Sequence, residues 1–217
     1  MIRLQNLSKS FRVPGGEKVV ARDICASFPS GRSVALLGRN GAGKSTLLQM
    51  IAGTARPDRG RVITRGSVSF PVGFAGSFHN DLTGAQNCRF IARIYGVDTD
   101  EMVAFVEATA ELGAHFRMPL RSYSSGMRAR LAFAASMAIS FDTYLVDEIT
   151  AVGDAAFREK SAALFRDRLT DAGAVVVSHS MNQLREICDC GAVLERGRLE
   201  FFDDLNAAIA CHERNML

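Results

Sequence analysis

Residues 33–53 read SVALLGRNGAGKSTLLQMIAG. Ser33–Leu37 is a short apolar run, the pattern of a strand buried on both faces of a parallel sheet. GRNGAGKS at 38–45 matches G-x-x-x-x-G-K-[ST], and KSTLLQMI then opens a helix, so the motif has the strand–loop–helix setting its chemistry requires. Gly38, Gly41 and Gly43 let the backbone curl until successive N–H groups face one centre. The helix that follows turns its N-terminal dipole toward the same anion. Lys44 is placed to reach the β- and γ-phosphates of a nucleotide, and the Ser45 hydroxyl to ligate Mg²⁺. The candidate binding set is Gly38, Asn40, Gly41, Ala42, Gly43, Lys44, Ser45 and Thr46. The plain alternative is a glycine-rich turn beside a surface lysine.

Two further strand ends extend the site. TYLVDE at 143–148 delivers adjacent carboxylates to the end of an apolar run. Neighbours on a strand point to opposite sides, which gives Asp147 and Glu148 separate tasks. Asp147 suits the metal shell, and Glu148 suits the group that polarises the attacking water. The plain alternative is a solvated acidic pair. AVVVSHS at 174–180 ends in His179, whose imidazole can hydrogen-bond a γ-phosphate if its strand shares the sheet. A lone histidine after a strand is otherwise a turn residue.

Strand-like runs lie at 2–4, 19–20, 33–37, 61–70, 143–147, 174–178, 192–195 and 198–202. Helix-like runs lie at 44–52, 84–95, 100–112, 125–139, 155–170, 181–188 and 204–212. Apolar strands followed by a turn and a helix imply an α/β core with its site at the carboxyl ends of the strands. The stretch 80–140 carries helical patterns and no strong strand, and it reads as an inserted helical subdomain.

Bulk properties narrow the classes. The 217 residues, 47% hydrophobic, are enough for one compact domain with a real core. A net charge of +3, with scattered basic residues, provides no field for nucleic acid, so none is expected as a partner. No segment approaches the roughly 18 apolar residues needed to span a bilayer. MIRLQNLSKSF lacks the apolar stretch of a signal peptide, which implies a cytoplasmic chain. Cys188 and Cys190 have no second pair to complete a zinc site, so the five cysteines read as reduced and mostly buried thiols.

With these motifs in this order, the whole chain resembles the ATP-binding subunits of ABC transporters. YSSGM at 123–127 stands where that family keeps its signature, with Ser124 matching the signature serine and Gly126 the last glycine. Ser125 stands where glycine is usual, and Met127 where glutamine is usual. AVGD at 151–154 matches the loop after the catalytic glutamate, with Asp154 as its aspartate, and Phe11 matches the aromatic that stacks on adenine. Ser124 and Ser125 also suit a plain helix N-cap, and Phe11 a core position. The resemblance implies a RecA-like parallel-sheet core, about 1–79 and 141–217, with an N-terminal antiparallel β region and a helical subdomain at about 80–140, all within one ATP-binding domain. It implies ATP and Mg²⁺, with two ATP molecules held in a homodimer in which Ser124, Ser125 and Gly126 face the partner's γ-phosphate.

Within the family, YSSGM and GFAGSFHNDLTGAQN at 73–87 resemble the capsular polysaccharide, O-antigen and teichoic acid exporters. O-antigen-type members often carry a further C-terminal carbohydrate-binding domain. A chain ending at Leu217 leaves no room for one, so it is most similar to the capsular exporters. That implies a subunit peripheral on the cytoplasmic face of the inner membrane, powering a separate permease that docks near 70–95. A soluble ATPase of the same class is the alternative. One departure stands out: the family's glutamine beside Mg²⁺ belongs near Phe74 or Ala75, and no glutamine occurs between 54 and 85. Water, Ser77 or His79 are the candidates to replace it.

Overall fold

The computed structural model describes residues 1–73, 76, 78–148 and 154–216. Contacts divide them into two compact units. The first takes Met1–Pro71, Phe141–Glu148 and the chain from Leu169 onward, and the second takes the remainder.

The first unit holds two sheets. In the smaller, β1 (Ile2–Val13) pairs antiparallel with β2 (Gly16–Phe28) and with β4 (Arg59–Thr64). The hairpin closes at Pro14–Gly15, where proline presets φ and Gly15 supplies a φ of 92°. These strands run well past the expected 2–4 and 19–20. Their outer halves are exposed and polar, and register shifts along β1 break the alternation that marks a strand. Asn6 and Asp23 both take positive φ there, and Asn6 Nδ2 donates to Asp23 Oδ1 at 3.1 Å.

The larger sheet has the order β5-β6-β7-β3-β8-β9. Its members are β3 (Ser33–Leu37), β5 (Val68–Pro71), β6 (Thr143–Asp147), β7 (Gly173–Val177), β8 (Cys190–Glu195) and β9 (Arg198–Phe202). All pair parallel except β9, which returns antiparallel beside β8. Every residue of β3 and β7 is buried, as expected for strands covered on both faces. The expected single run at 61–70 is instead two strands in different sheets. Gly66, at a φ of 88°, turns the chain between β4 and β5, and a Cβ there would stand 2.8 Å from the Asp142 carboxylate.

Helix α1 (Lys44–Ile51) buries Leu47, Leu48, Met50 and Ile51. These join one apolar cluster with Ile2, Leu4, Ile24 and Phe28 of the small sheet and Val34, Leu145, Val175 and Leu194 of the large one. Burial of each such side chain stabilises by about 1.5–3 kcal/mol, so the helix carrying the glycine loop is anchored from two sheets at once. The unit is completed by α6 (Met181–Ile187) and by α7 (Leu205–Met216), which packs on β8.

The second unit is helical. Helix α2 (Gly84–Tyr95) starts at a capping box of Thr83 and Gln86 and ends at Gly96, with φ 68°. Helix α3 (Thr99–Ala110) is capped by Asp98, and α4 (Ser125–Met137) by Ser124. Helix α5 (Ala155–Arg168) packs on α4, with Phe157 edge-on to Phe133 at 6.3 Å and under the Arg130 guanidinium at 4.4 Å. Four of the five cysteines are buried and all five are free. No helix of the described residues is long and apolar enough to cross a membrane.

Candidate functional site

The glycine loop lies between β3 and α1, and each of its glycines has a local reason. A Cβ on Gly38 would collide with the Leu194 carbonyl, and one on Gly43 would stand 2.8 Å from Val20 Cβ. With φ at 152°, 76° and 108°, Gly38, Gly41 and Gly43 trace a curl that L side chains rarely adopt. Gly43 is the N-cap of α1, makes no side-chain cap, and is followed by a first turn without an acidic residue. The positive helix end is thus left for an outside anion. The Ala42 N–H closes the curl on the Arg39 carbonyl at 3.0 Å.

A cavity of about 790 Å³ opens over this loop, inside the range of about 300–1,000 Å³ common for small-molecule sites. Asn40, Gly41, Gly43, Lys44, Ser45 and Thr46 form its floor. Asp147, Glu148 and His179 reach it from the carboxyl ends of β6 and β7, and Phe11 from the outer part of β1. The sequence candidates in the first unit, Gly38 and Ala42 aside, therefore line one cavity, while those two shape the loop from beneath. Lys18, Val13, Val20 and Val177 line it as well, and sequence reasoning missed them. Lys18 brings a second cation, its Nζ 3.3 Å from where a Gly41 Cβ would be. It faces Phe11 across the β1–β2 ladder, a register the sequence alone does not reveal. Phe11 is 44% exposed, so the ring is a surface platform rather than core, with Lys9 Nζ 5.3 Å from its centre.

Lys44 Nζ donates to the carbonyls of Gly38 at 2.6 Å and Arg39 at 3.1 Å. Burial pulls its pKa below the usual lysine value, while the charges of Asp147 and Glu148 work in the opposite direction. Glu148 leaves β6 through a left-handed turn, φ 53°, uncommon for a residue with a side chain and costing about 1–3 kcal/mol. Its N–H is tied to the Val177 carbonyl at 2.9 Å, and His179 Nε2 donates to its Oε1 at 2.7 Å. Among the described residues no cluster of three or more His, Cys, Asp or Glu side chains could cage a metal alone. Ser45 and Asp147 offer hard oxygen atoms to one cavity, donors of the kind a hard divalent cation takes.

The remaining candidates lie in the second unit. Ser124, Ser125 and Gly126 are all exposed at the start of α4, where Ser124 Oγ accepts from the Met127 N–H at 3.2 Å. Asp154 caps α5, accepting from the Phe157 N–H at 2.9 Å, and pairs with Arg130 at 2.9 Å. Ala151–Gly153 of AVGD lie outside the described residues, as do Phe74, Ala75 and Ser77. His79 is described: its Nδ1 accepts from the Asp81 N–H at 3.3 Å, so the imidazole already has a local task. Gln86 is spent on the capping box. Asn87, which the sequence did not single out, is buried and donates to the carbonyls of His79, Leu82 and Thr83, fixing the path of 79–83. Of the apolar residues expected between 70 and 95, Ile91 is buried, while Phe70, Phe78 and Leu82 are half-buried. Phe90 is exposed, and Ile94 and Tyr95 join it on the surface of α2.

A glycine loop between a parallel strand and an anchored helix, with carboxylates at the end of another strand of the same sheet, defines a phosphate-loop nucleotide hydrolase. The ABC transporter family profile matches residues 21–151. The chain is 50% identical over 212 residues to a polysialic acid transport ATP-binding protein, KpsT, of Escherichia coli, covering 96% of this chain and 95% of that one. It is 43% identical to the capsule polysaccharide export ATP-binding protein CtrD of Neisseria meningitidis, covering 96% of each. Among solved structures, a dimeric ATP-binding cassette in a post-hydrolysis state with ADP and Pi shares the fold, with a TM-score of 0.79 over 94% of this chain and 99% of the other at 22% identity. The chain belongs to the ABC transporter family, and it is an ATP-binding, ATP-hydrolysing subunit of that class.

Proposed function

We propose that this chain, as one ABC ATP-binding domain, powers export of a polysaccharide, most specifically a capsular polysaccharide, through a separate integral-membrane permease. The observation that carries this reading is the 50% identity, along nearly the whole of both chains, to a protein named for polysialic acid transport. Capsule export in the name of a second full-length relative supports it further. The subunit works on the cytoplasmic face of the inner membrane as a homodimer. The permease docks near 70–95, where Phe90, Ile94 and Tyr95 offer an apolar surface beside Arg89 and Arg93.

Phe11 stacks on adenine, and the loop from Gly38 to Thr46 wraps the phosphates. Lys44 exchanges the two carbonyls it now holds for phosphate oxygens, which repays its desolvation. Ser45 and Asp147 would hold Mg²⁺, which would supply charge neutralisation at the phosphates. Glu148 takes a proton from the attacking water, and His179 hydrogen-bonds the γ-phosphate side of the site. Ser124, Ser125 and Gly126 meet the partner subunit's nucleotide, with Asp154 at the same junction. The exposure of α4's start leaves these groups available to a second copy.

The test is export in cells carrying this chain with its permease. Lys44→Ala should abolish surface polysaccharide along with ATP hydrolysis. Export that continued after hydrolysis was lost would place this ATPase outside transport.

A further inference from the structure

Gln183 holds the turn that carries His179. His179 sits between two serines; two hydrogen bonds tie those serines to one glutamine, and a third joins the serines to each other. Ser178 Oγ donates to Gln183 Oε1 at 2.8 Å. The Ser180 N–H donates to Ser178 Oγ at 3.1 Å, which orients that hydroxyl toward the glutamine. The Gln183 N–H then donates to Ser180 Oγ at 3.3 Å, capping α6. The chain on both sides of His179 is therefore closed into a ring anchored at position 183.

The ring matters because His179 has little else among the described residues to hold it. Its side chain is 61% exposed, and the bond it makes is to Glu148, itself 49% exposed and seated on a strained backbone. An exposed imidazole on a free turn samples several rotamers and turn conformations, and each costs entropy to recover. Fixing residues 178 and 180 fixes where the Cβ of His179 points, without touching the imidazole. We infer that Gln183 is a positioning residue for His179, and through it for the His179–Glu148 pair. The inference rests on the role proposed for His179.

The role separates from mere stability in a double-mutant cycle on ATP hydrolysis. Gln183→Ala should lower kcat by about tenfold or more, within the roughly hundredfold that a 1 Å misplacement can cause, and leave the KM for ATP nearly unchanged. Ser178→Ala should reproduce that split. Gln183→Glu keeps an acceptor for Ser178 Oγ and should recover most of the kcat. The double variant Gln183→Ala/His179→Ala should be no slower than His179→Ala alone, because the glutamine acts only through the histidine. Multiplying losses in the double variant, or a normal kcat in Gln183→Ala beside a slow His179→Ala, would overturn the positioning role and spare the role of His179. A normal kcat in His179→Ala would overturn both.

Discussion

His179 Nε2 lies 2.7 Å from Glu148 Oε1, joining the ends of two neighbouring parallel strands, β7 and β6. The backbones are joined as well, through the Glu148 N–H and the Val177 carbonyl at 2.9 Å. The carboxylate proposed to meet water and the imidazole proposed to meet phosphate are thus set as one unit. An exposed pair in water contributes little to stability, so its value lies in geometry. His179→Ala should leave ATP binding within a few-fold of the parent and lower turnover by about 10²-fold, in the range for a lost acid–base partner. Equilibrium binding and phosphate release on the same preparation check this. A loss confined to binding would assign His179 to nucleotide capture instead.

Lys44 is the cation inside the loop, and its ammonium now rests on the Gly38 and Arg39 carbonyls. Lys44→Ala removes the charge while leaving the apolar anchor of α1 intact. ATP affinity should fall by at least about tenfold, the loss expected from one charge-assisted hydrogen bond, with the thermal midpoint nearly unchanged. Binding of labelled ATP at the parental affinity would remove the loop from the site.

The exposed start of α4 makes a prediction about the dimer. A Ser124→Arg chain mixed with a Lys44→Ala chain leaves some mixed dimers with one intact composite site and one doubly damaged site. ATP-dependent association, followed by light scattering, should partly return in the mixture. Association no greater than either variant alone gives would contradict the shared site while leaving ATP binding untouched.

Asp142 clasps β5 to β6. Its Oδ2 accepts from both the N–H and the hydroxyl of Ser67, at 2.7 Å each, and these bonds hold its pKa below the ordinary aspartate value of 3.8. A depressed carboxylate contributes stability above its unfolded pKa and loses it as pH falls through the lower folded value. Asp142→Ala should therefore lower the thermal midpoint by at most about 2–4 °C at pH 7, because solvent screens an exposed carboxylate and leaves only part of the roughly 1 kcal/mol that such a shift represents in a chain of this size. The gap should narrow below pH 3.8. A gap that stayed constant down to pH 3 would show that the clasp acts by packing alone.

What the sequence made legible follows from where each interaction lives. The runs at 33–37, 143–146 and 174–177 are buried, as strands covered on both faces are, so their apolar character needed no partner to be read. The glycine loop is local in sequence, and its motif was complete on its own. The outer halves of β1 and β2 were hidden because they are polar, exposed and interrupted by bulges. Helix α5 looked like part of the core because sequence shows only that it is a helix; Phe157 against Phe133 assigns it to the second unit. Lys18 comes to the loop through the β1–β2 register, which the sequence does not print, while Asn87 and Gln183 bond to turns close by in sequence that follow no motif.

The most direct test compares ATP turnover at saturating nucleotide in the parent and in Glu148→Gln, with bound ATP measured in parallel. The substitution keeps shape and volume and removes the carboxylate proposed to take the proton. Turnover should fall by about two or more orders of magnitude, the range for a lost general base, while ATP stays bound and dimers accumulate. Near-parental hydrolysis in Glu148→Gln would contradict the assignment of β6's final carboxylate as the base, and with it the hydrolytic centre proposed for this cavity.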